Sequence, residues 1–352
     1  MDKKNIALVV TSLESGGLER NASILANHFS NIGLNVYICC LKNNNIFFSL
    51  NKNIKVIDMT TNKNKLISFN IWKNKLRKFF LENKINTVIS FGDRCGILTA
   101  KAIKDSNINH ICRAINTKKN IINKVLLRNA AKNINHFIFQ TSAQKVNYPK
   151  VILDKGIHIP NPFELYNENL NIEGLNSKRF VTVASFKIKQ KRQDLMVKAF
   201  KKFSLSHPEY IFEMYGRYTA KDKRKIDSLI KKEDLVGKVF IKGENKNIKE
   251  AIIPSRAFIC ASTHEGMPNA LIEALSYGVP VISSNWLGSK EIIENNKNGL
   301  IFKMNDVDDL VSKMLLIAEE DELFNIISNN SYTQIIKDFE KNKVLKMWEQ
   351  II

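Results

Sequence analysis

Short apolar runs alternate along this chain with segments whose apolar residues recur at helical spacing. This alternation is typical of βαβ units, which build parallel sheets covered by helices on both faces, so the fold class is α/β. In the first half the pattern predicts strands at 6–10, 36–41, 54–57, 87–91, 110–114 and 136–140, and helices at 18–32, 66–83, 95–104, 120–132 and 142–148. In the second half it predicts strands at 180–184, 211–215, 239–241, 257–261 and 279–283, and helical periodicity over 306–336.

Two prolines interrupt this alternation near the middle of the chain. Pro160 and Pro162 cannot continue a helix or a central strand, and the polar stretch at 164–178 has the composition of a linker. A chain of 352 residues also exceeds one ordinary core. We therefore expect two Rossmann-like domains at 1–163 and 164–335, and a terminal helix within 336–352 that can pack back on the first domain.

The positive charge of the chain is concentrated in its first half. Residues 1–160 hold 25 Lys and Arg against 8 Asp and Glu, a net charge of +17, whereas residues 161–352 hold 29 against 26, a net of +3. A one-sided basic surface implies an anionic partner, either nucleic acid, an acidic membrane leaflet or a phosphate-bearing substrate. The alternative is a solvated surface in a chain rich in Lys and Asn. Basic and apolar residues interleaved at 63–84 and 118–132 favour contact with an anionic membrane.

Other features predict a cytoplasmic protein with no cofactor or metal. No run of about 18 apolar residues occurs, so no transmembrane helix is expected. The first apolar run is too short for a signal peptide. The five cysteines form no Cys-x-x-Cys pair and are expected to be reduced, and no His, Cys, Asp or Glu cluster has metal-ligand spacing.

The segment at 261–283 is the most informative for chemistry. An apolar strand leads into a loop with Glu265, and Pro268 is then expected at the first helical position, with Gly278 ending the helix. Such a strand, loop and helix place backbone N–H groups beside the carboxyl ends of parallel strands, which suits a diphosphate. Glu265 on the loop and Glu273 on the helix could face one hydroxyl-rich ligand from two directions.

The residues of this segment also resemble a known family. His-Glu-Gly-Met-Pro-Asn-Ala-Leu-Ile-Glu-Ala at 264–274 and Gly-Val-Pro-Val-Ile at 278–282 closely resemble the donor-site signature of the family 4 retaining glycosyltransferases, also called glycosyl transferases group 1. Gly-Gly-Leu-Glu-Arg at 16–20 resembles the family's Gly-Gly-x-Glu-Arg loop, and Gly-Ser-Lys-Glu-Ile-Ile at 288–293 resembles its Gly-x-x-Glu-Ile-Ile segment. The resemblance extends over residues 5–335.

The resemblance implies a GT-B fold, in which two Rossmann-like domains face each other across a deep cleft. It implies metal-independent, retaining transfer of a hexose or N-acetylhexosamine from a nucleoside diphosphate sugar, with UDP as the default. The acceptor would be a glycan, such as one linked to polyprenyl diphosphate, in bacterial surface polysaccharide assembly (O-antigen, capsule or lipopolysaccharide). The enzyme would then act peripherally on the cytoplasmic face of the inner membrane.

The same resemblance assigns roles to residues of this chain. Glu273 would hold the ribose, Glu265 would contact sugar hydroxyls, and Lys191 would stabilise the leaving diphosphate. The expected catalytic residues are Glu265, Lys191 and Arg113. The expected donor-binding residues are Gly16, Gly17, Lys191, Arg192, His264, Glu265, Gly266, Met267, Pro268, Asn269, Ala270, Leu271 and Glu273.

One departure and two alternatives stay open at this point. The family's usual Arg after the first strand of the second half is missing, so Lys187 or Arg192 supplies that cation or the loop is rearranged. The charge also suits a basic nucleic-acid-binding protein on a Rossmann-like scaffold, and the fold would also suit a GT-B-fold sugar-nucleotide epimerase. The 264–274 segment favours a transferase that does not bind nucleic acid, but it does not identify the donor base, the sugar or the acceptor.

Overall fold

The computed structural model of the chain describes residues 4–43, 45–61, 65–115, 121–163, 173–245 and 247–352. The chain divides into two compact units. The N-terminal unit comprises Met1–Pro162 with Lys341–Ile352, and the C-terminal unit comprises Phe163–Glu340. The predicted linker at 164–178 lies outside the described residues as far as 172.

The described part of the N-terminal unit contains a fully parallel sheet covered by helices. Its strand order is β3-β2-β1-β4-β5-β6-β7. The strands are β1 Asn5–Val10, β2 Asn35–Cys40, β3 Lys55–Asp58, β4 Thr87–Phe91, β5 Asn109–Arg113, β6 His136–Phe139 and β7 Gly156–His158. The helices are α1 Gly17–Asn31, α2 Lys65–Glu82, α3 Asp93–Ala102, α4 Ile121–Ala130 and α5 Lys150–Leu153, with 3-10 helices at Ala131–Asn133 and Ser142–Asn147.

The C-terminal unit repeats this architecture. The order of its described strands is β10-β9-β8-β11-β12-β13, again all parallel. The strands are β8 Arg179–Val183, β9 Ile211–Tyr215, β10 Val239–Gly243, β11 Ala257–Cys260, β12 Val281–Ser284 and β13 Leu300–Phe302. The helices are α6 Ile188–Lys191, α7 Gln193–Phe203, α8 Ala220–Lys232, α9 Ile248–Ile252, α10 Asn269–Ser276, α11 Val307–Glu319 and α12 Asp321–Phe339, with 3-10 helices at Gly174–Asn176 and Ser289–Glu291.

The last helix of the chain, α13 Lys341–Glu349, belongs to the N-terminal unit. Its buried residues Val344, Leu345 and Trp348 lie in the same hydrophobic cluster as Ile6 and Leu8 of β1. The helical spacing of these three residues places them on one face, and that face completes the core on which β1 packs.

The apolar residues of α2, which the sequence suggests for membrane contact, are used mainly inside the unit. Leu76 and Phe80 are fully buried, and Phe69, Trp72 and Phe79 pack against the same cluster. Residues 62–64 and 116–120, which fall in or beside the two suggested segments, lie outside the described residues. On α2, Ile67 and Leu81 remain exposed, at 48% and 61%, and further exposed apolar residues of the N-terminal unit lie on α4 and α5.

Most predicted helices and strands are confirmed within a few residues. The exceptions are short elements and one helix boundary at which the sequence has no Gly or Pro. The predicted helical stretch at 306–336 is two helices, α11 and α12, separated at Glu320. Asp306 caps the first of them, because its carboxylate accepts from the backbone N–H groups of Asp308 and Asp309, both at 3.1 Å. The predicted helix at 142–148 is a 3-10 helix, and β7 and β13 were not predicted.

A buried arginine joins the helices of the C-terminal unit below its sheet. Arg256, just before β11, is 2% exposed. It donates to the carbonyl oxygens of Ile317 at 2.7 Å and Ala318 at 3.3 Å, at the end of α11. It also pairs with Asp321 at 2.7 Å and lies 4.6 Å from the ring centre of Phe324, both on α12. Arg256 thus satisfies carbonyls that the end of α11 leaves without intrahelical partners.

Each sheet has one point at which the direction of strand addition reverses. It lies between β1 and β4 in the N-terminal unit and between β8 and β11 in the C-terminal unit. In open α/β sheets, ligands bind outside the carboxyl ends of the strands at such points. The topology therefore nominates two edges, one in each unit, for functional residues.

Among the described helices, none combines the length and the apolar character that crossing a bilayer requires.

Candidate functional site

A small pocket lies at the reversal point of the C-terminal sheet, where β8 and β11 end side by side. Six of the residues predicted for donor binding line it, namely Lys191, Glu265, Pro268, Asn269, Ala270 and Leu271. The sequence did not predict the strand ends that form its floor, among them Thr182, Val183, Ala184, Cys260, Ala261 and Ser262. These small or aliphatic residues carry no chemical signal, and only the strand order brings them together.

The loop after β8 is shaped by the end of the neighbouring strand β9. Gly216 has a φ of +136°, and a β-carbon there would come within 2.1 Å of the carbonyl oxygen of Ala184. The backbone N–H of Phe186 donates to the carbonyl oxygen of Arg217 at 2.8 Å. Glycine is required at 216 because only it permits this close approach. The Tyr-Gly-Arg sequence at 215–217 therefore positions one wall of the pocket.

The short helix α6 is fastened to the loop that follows β11. The backbone N–H of Thr263 donates to the carbonyl oxygen of Gln190 at 2.8 Å. In the other direction, Nε2 of Gln190 donates to the carbonyl oxygen of His264 at 3.0 Å. This two-way connection holds Lys191, the last residue of α6, beside the loop that carries Glu265.

Lys191 and Glu265 form an ion pair in the pocket, with Nζ of the lysine donating to Oε1 of the glutamate. Both side chains are largely buried, at 18% and 8% exposure. Burial has the largest single effect on Lys191 and lowers its pKa, but the charge of Glu265, the neighbouring Cys260 and the hydrogen bond to Glu265 together outweigh burial, so the pKa of Lys191 is raised. Lys191 is therefore an ammonium at neutral pH, and the predicted proximity of residues 191 and 265 is observed.

Helix α10 begins against the same pocket. Pro268 is its N-cap, with an extended backbone at φ −81° and ψ 94°, so the prediction that it occupies the first helical position was wrong by one residue. The first-turn residues Asn269, Ala270 and Leu271 line the pocket. The predicted stop at Gly278 is confirmed, since its φ is +76° and its N–H donates to the carbonyl oxygen of Leu275 at 3.0 Å.

The other donor residues predicted in the C-terminal unit do not line the pocket. Glu273 is 5% exposed on α10 and does not point into bulk solvent. Met267 is buried in a hydrophobic cluster, and Nδ1 of His264 lies 2.9 Å from the hydroxyl of Thr263. Arg192, which has a left-handed backbone, pairs with Asp194 at 3.1 Å and donates to Asn305. Neither Arg192 nor Lys187 is among the residues that line the pocket, and Gly266 lies in the loop between Glu265 and Met267.

In the N-terminal unit, the predicted glycines lie at the reversal point of the sheet. Gly16 ends the loop that connects β1 to α1, which starts at Gly17, and the backbone N–H of Arg20 donates to the carbonyl oxygen of Gly16 at 3.0 Å. A β-carbon on Gly16 would come within 2.2 Å of the Glu19 carboxylate. A side chain at position 16 would therefore require the carboxylate of Glu19 to move.

Arg113, the third predicted catalytic residue, ends β5 on the same edge. It is 4% exposed, donates to Oδ1 of Asn161 and lies 5.6 Å from the ring centre of Phe91. Burial lowers its pKa to about 10, and the charge of Glu19 opposes that shift. Arg113 thus keeps its positive charge at neutral pH although it is almost withdrawn from water.

Asp93 opens α3 next to this arginine's strand. The hydroxyl of Tyr148 donates to Oδ1 of Asp93 at 2.8 Å. The ring of Tyr148 packs against those of Phe137 and Phe139, at 4.9 Å and 5.0 Å between centres. Burial and the Asp93 carboxylate together raise the pKa of Tyr148. The carboxylate is thus oriented by a neutral phenol.

Acidic residues do not assemble into a metal centre in the described residues, since no group of three or more His, Cys, Asp or Glu could hold an ion. Asp-Val-Asp at 306–308 has a spacing that metal-dependent transferases use. Here, Asp306 is instead the N-cap of α11.

Comparison with known proteins connects this geometry to a family. Residues 167–334 match the model of the glycosyl transferases group 1 family. An uncharacterised glycosyltransferase of Haemophilus influenzae is 24% identical over 99% of this chain and 100% of its own length. The Escherichia coli UDP-Gal:α-D-GlcNAc-diphosphoundecaprenol α-1,3-galactosyltransferase is 30% identical over 30% of this chain, a match that spans 27% of that enzyme.

The backbone also resembles solved structures over nearly its whole length. The Anabaena protein HepE, solved in complex with UDP and glucose, superposes with a TM-score of 0.81 at 14% identity, covering 99% of this chain and 98% of HepE. At this identity the likeness concerns the fold, which is the two-sheet arrangement described above.

Proposed function

Because the chain is a glycosyltransferase of the GT-B fold whose residues 167–334 belong to the glycosyl transferases group 1 family, we propose that it transfers a hexose or N-acetylhexosamine from a nucleoside diphosphate sugar to a glycan acceptor. The donor base is UDP in this proposal, and the anomeric configuration is retained. The observation that carries the proposal is the Lys191–Glu265 ion pair in a pocket at the reversal point of the C-terminal sheet.

The ion pair suggests how a donor is bound. A diphosphate entering the pocket offers Lys191 a second anion, and the ammonium can shift from Glu265 to a phosphoryl oxygen. Glu265 then presents a carboxylate, 8% exposed in the free chain, that accepts hydrogen bonds from sugar hydroxyls. The first-turn amides of α10 add donors for the diphosphate, as helix N-termini generally do. Glu273, buried on α10, holds the ribose in this proposal.

The same groups would assist bond cleavage. As the bond between the anomeric carbon and the phosphate oxygen breaks, negative charge grows on the diphosphate. Lys191 and the backbone amides at the start of α10 are fixed positive groups that stabilise this charge more than they stabilise the intact donor. We assign Glu265 to the sugar hydroxyls rather than to nucleophilic attack, and we favour attack by the acceptor hydroxyl on the face that the leaving phosphate vacates. The hydroxyl oxygen bonds to the anomeric carbon as the bond to the phosphate oxygen breaks, and the hydroxyl proton passes to the leaving diphosphate. This reaction needs neither a metal nor a cofactor.

For the acceptor we propose a glycan linked to polyprenyl diphosphate, in bacterial surface polysaccharide assembly such as O-antigen, capsule or lipopolysaccharide. The Escherichia coli relative, which is a galactosyltransferase that acts on a sugar attached to diphosphoundecaprenol, supports this class. The net charge of +17 on residues 1–160 suits a phosphate-bearing acceptor.

Such an acceptor lies in a membrane, and one surface of the N-terminal unit suits an anionic leaflet. Val125 on α4 is 54% exposed, Val146 is 67% exposed, and Val151 on α5 is 38% exposed. Basic Arg128 and Lys150 are exposed on the same two helices, which pack against each other. We propose that this α4–α5 surface, rather than α2, rests peripherally on the cytoplasmic face of the inner membrane.

The donor assignment is tested by thermal shift against a panel of nucleotide sugars, followed by UDP release and by NMR of the anomeric product. We expect stabilisation by UDP-sugars and a product with the donor's anomeric configuration. Stabilisation by no nucleotide sugar at all would refute the function, and an inverted product would refute the mechanism.

The membrane assignment is tested by sedimentation with vesicles of phosphatidylglycerol and phosphatidylcholine, and with vesicles of phosphatidylcholine alone. Binding is expected only to the anionic vesicles, and the double variant Val125→Glu, Val151→Glu should lose it. Leu205→Glu, at a position 75% exposed in the C-terminal unit, is the matched control. Equal binding by all three proteins would exclude the α4–α5 surface.

A further inference from the structure

Arg113 is a buried cation that no carboxylate in the described structure neutralises at contact distance. Its side chain makes one hydrogen bond among the described residues, to the neutral side-chain oxygen of Asn161, and its guanidinium lies over Phe91. It is 4% exposed. Glu19 acts on it electrostatically without forming an ion pair in the described structure. Buried charges in proteins are normally paired, because removal from water is costly.

Two other arginines of the same chain show the usual arrangement. Arg256, 2% exposed, pairs with Asp321 at 2.7 Å and bonds to several carbonyl oxygens. Arg179, whose side chain is 15% exposed, pairs with Glu213 at 2.6 Å and donates to further carbonyls. Arg113 differs from both because most of its N–H groups lack an acceptor among the residues that the structure describes. The guanidinium therefore has N–H groups with which it can bind an anionic ligand.

The position of Arg113 places it where a ligand of the N-terminal unit would bind. It is the last residue of β5, opposite Phe91 at the end of β4, so it lies on the carboxyl edge of the sheet. The backbone N–H of Gly92 donates to the Arg113 carbonyl at 2.8 Å, and Gly92, with a φ of +90°, turns the chain into α3. The strand of Arg113 thus ends beside the N-terminus of a ten-residue helix, where the backbone field favours negative charge.

We propose that Arg113 binds a phosphoryl group of the acceptor, and this inference rests on the function proposed above. A guanidinium fork can donate two parallel hydrogen bonds to phosphoryl oxygens, which also neutralise its charge. A phosphoryl group carries the charge that a half-chain of net +17 attracts at long range. Arg113 would then recognise the phosphorylated portion of the acceptor and position its glycan, while Lys191 handles the phosphates of the donor.

Inorganic pyrophosphate, titrated calorimetrically into protein already saturated with UDP, is a direct probe. Saturation with UDP fills the donor's phosphate subsite, so further binding reports a second site. Arg113→Met should weaken this binding by roughly tenfold or more, because a charge-assisted hydrogen-bonding group is lost. Arg113→Lys keeps the charge but loses the forked pair of donors, so its affinity for pyrophosphate should lie between those of the wild type and Arg113→Met. If Arg113→Met does not fold, Arg113→Lys alone tests the site.

Arg94→Met is the matched control, since Arg94 is an exposed arginine on the first turn of α3 and carries the same charge. We expect this variant to bind pyrophosphate within about twofold of the wild type. Equal losses in Arg94→Met and Arg113→Met would show that only net charge matters, and unchanged binding in both Arg113 variants would remove the site. Either result overturns the inference.

A second measurement separates the acceptor's phosphate from the donor's. Arg113→Lys should keep the wild-type affinity for UDP and raise the acceptor KM while kcat changes little. A parallel loss of UDP affinity would assign Arg113 to the donor and overturn the acceptor role. If the wild type releases UDP from no nucleotide sugar, the proposed function fails, whereas the pyrophosphate titration still decides whether Arg113 is an anion site.

Discussion

Arg113 and Arg256 are buried to nearly the same extent in two sheets of similar topology, yet their surroundings differ. Arg256 lies just before β11, at the amino edge of the C-terminal sheet, where helix ends and Asp321 surround it with acceptors. Arg113 ends β5, at the carboxyl edge of the N-terminal sheet, with Asn161 as its hydrogen-bonding partner in the described structure. A guanidinium with all its acceptors supplied stabilises a fold, and one without them is available to a ligand.

The same contrast separates the two edges of each sheet. Strand residues at the amino edge, such as Arg179, are bonded to protein groups that finish the packing. Residues at the carboxyl edge, such as Lys191 and Glu265, are held in place by the protein but line a pocket. The fold therefore determines where each side chain lies. Whether that side chain is structural or available to a ligand depends on how many hydrogen-bonding and charged protein groups surround it.

The largest effect is expected on the rate of sugar transfer when Lys191 in the pocket of the C-terminal unit is replaced. Lys191→Ala removes the fixed positive charge from the pocket and should reduce the rate of UDP release during transfer by about 10²–10³-fold, the typical cost of losing one preorganised electrostatic group. The control is Lys189→Ala, an exposed lysine on the same short helix α6. Near wild-type turnover by a folded Lys191→Ala protein would end the assignment of this pocket.

The next effect concerns stability and sets the two arginines against each other. Arg256→Met leaves helix-end carbonyls and Asp321 without their donor and should destabilise the C-terminal unit by roughly 3 kcal/mol. Arg113→Met should cost the N-terminal unit less than about 1 kcal/mol, because few protein groups lose a partner. Hydrogen exchange followed by mass spectrometry resolves the two units. A large loss of protection in the N-terminal unit of Arg113→Met would make Arg113 a structural residue.

A pH effect is expected in the N-terminal unit alone, through His110. This side chain is fully buried, 2.8 Å from the Ser90 hydroxyl and 2.7 Å from the Asn133 carbonyl, and burial lowers its pKa to about 4. Below its unfolded pKa of about 6.5, the unfolded chain binds a proton that the folded chain does not. The stability of this unit should therefore fall by roughly 2 kcal/mol between pH 7 and pH 5.

The stability of the N-terminal unit can be measured by urea unfolding of the Trp286→Phe variant, followed by tryptophan fluorescence. The remaining tryptophans of this variant, Trp72 and Trp348, are both in the N-terminal unit. His110→Gln in the same background should flatten the pH dependence. His136→Gln, a partly exposed histidine on the neighbouring strand β6, should keep it. The same slope in His110→Gln as in its parent would show that other groups are responsible.

The smallest effect is expected from removal of the hydrogen bond between the Tyr148 hydroxyl and the Asp93 carboxylate. Tyr148→Phe keeps the ring among Phe137 and Phe139 but removes one hydrogen bond, and it should destabilise the N-terminal unit by about 1 kcal/mol. UDP affinity should not change. Tyr37→Phe on β2 of the same sheet, expected within about 0.5 kcal/mol of the wild type, is the control. Identical stability of the two variants would mean that the Tyr148 hydroxyl contributes nothing.

How far the sequence could predict this molecule depends on the length of each signal. The alternation of long strands and helices identifies the α/β class, and the Gly278 stop identifies the end of α10. In contrast, β7 and β13 have three residues each, which is too few to show a period. The break between α11 and α12 at Glu320 also carries no Gly or Pro, so nothing local predicts it.

The site shows the same limit. Motif residues predicted that Lys191 and Glu265 share a pocket, although they lie 74 positions apart. Their direct ion pair was not predictable, because it depends on how Gln190 fastens α6 to the loop after β11. The strand ends that form the floor of the pocket have no distinctive residue type. Likewise, the single hydrogen bond that Arg113 makes among the described residues could not be predicted, because its acceptor Asn161 lies on a distant segment.

Helix α13 has a consequence for the order in which this protein can be made. Val344, Leu345 and Trp348 belong to the core of the N-terminal unit, but the ribosome adds them after the whole C-terminal unit. During synthesis the core of the N-terminal unit remains incomplete, with apolar residues of α1 and β1 uncovered, at a stage when the C-terminal unit can already fold. The first unit to begin is thus the last to be finished.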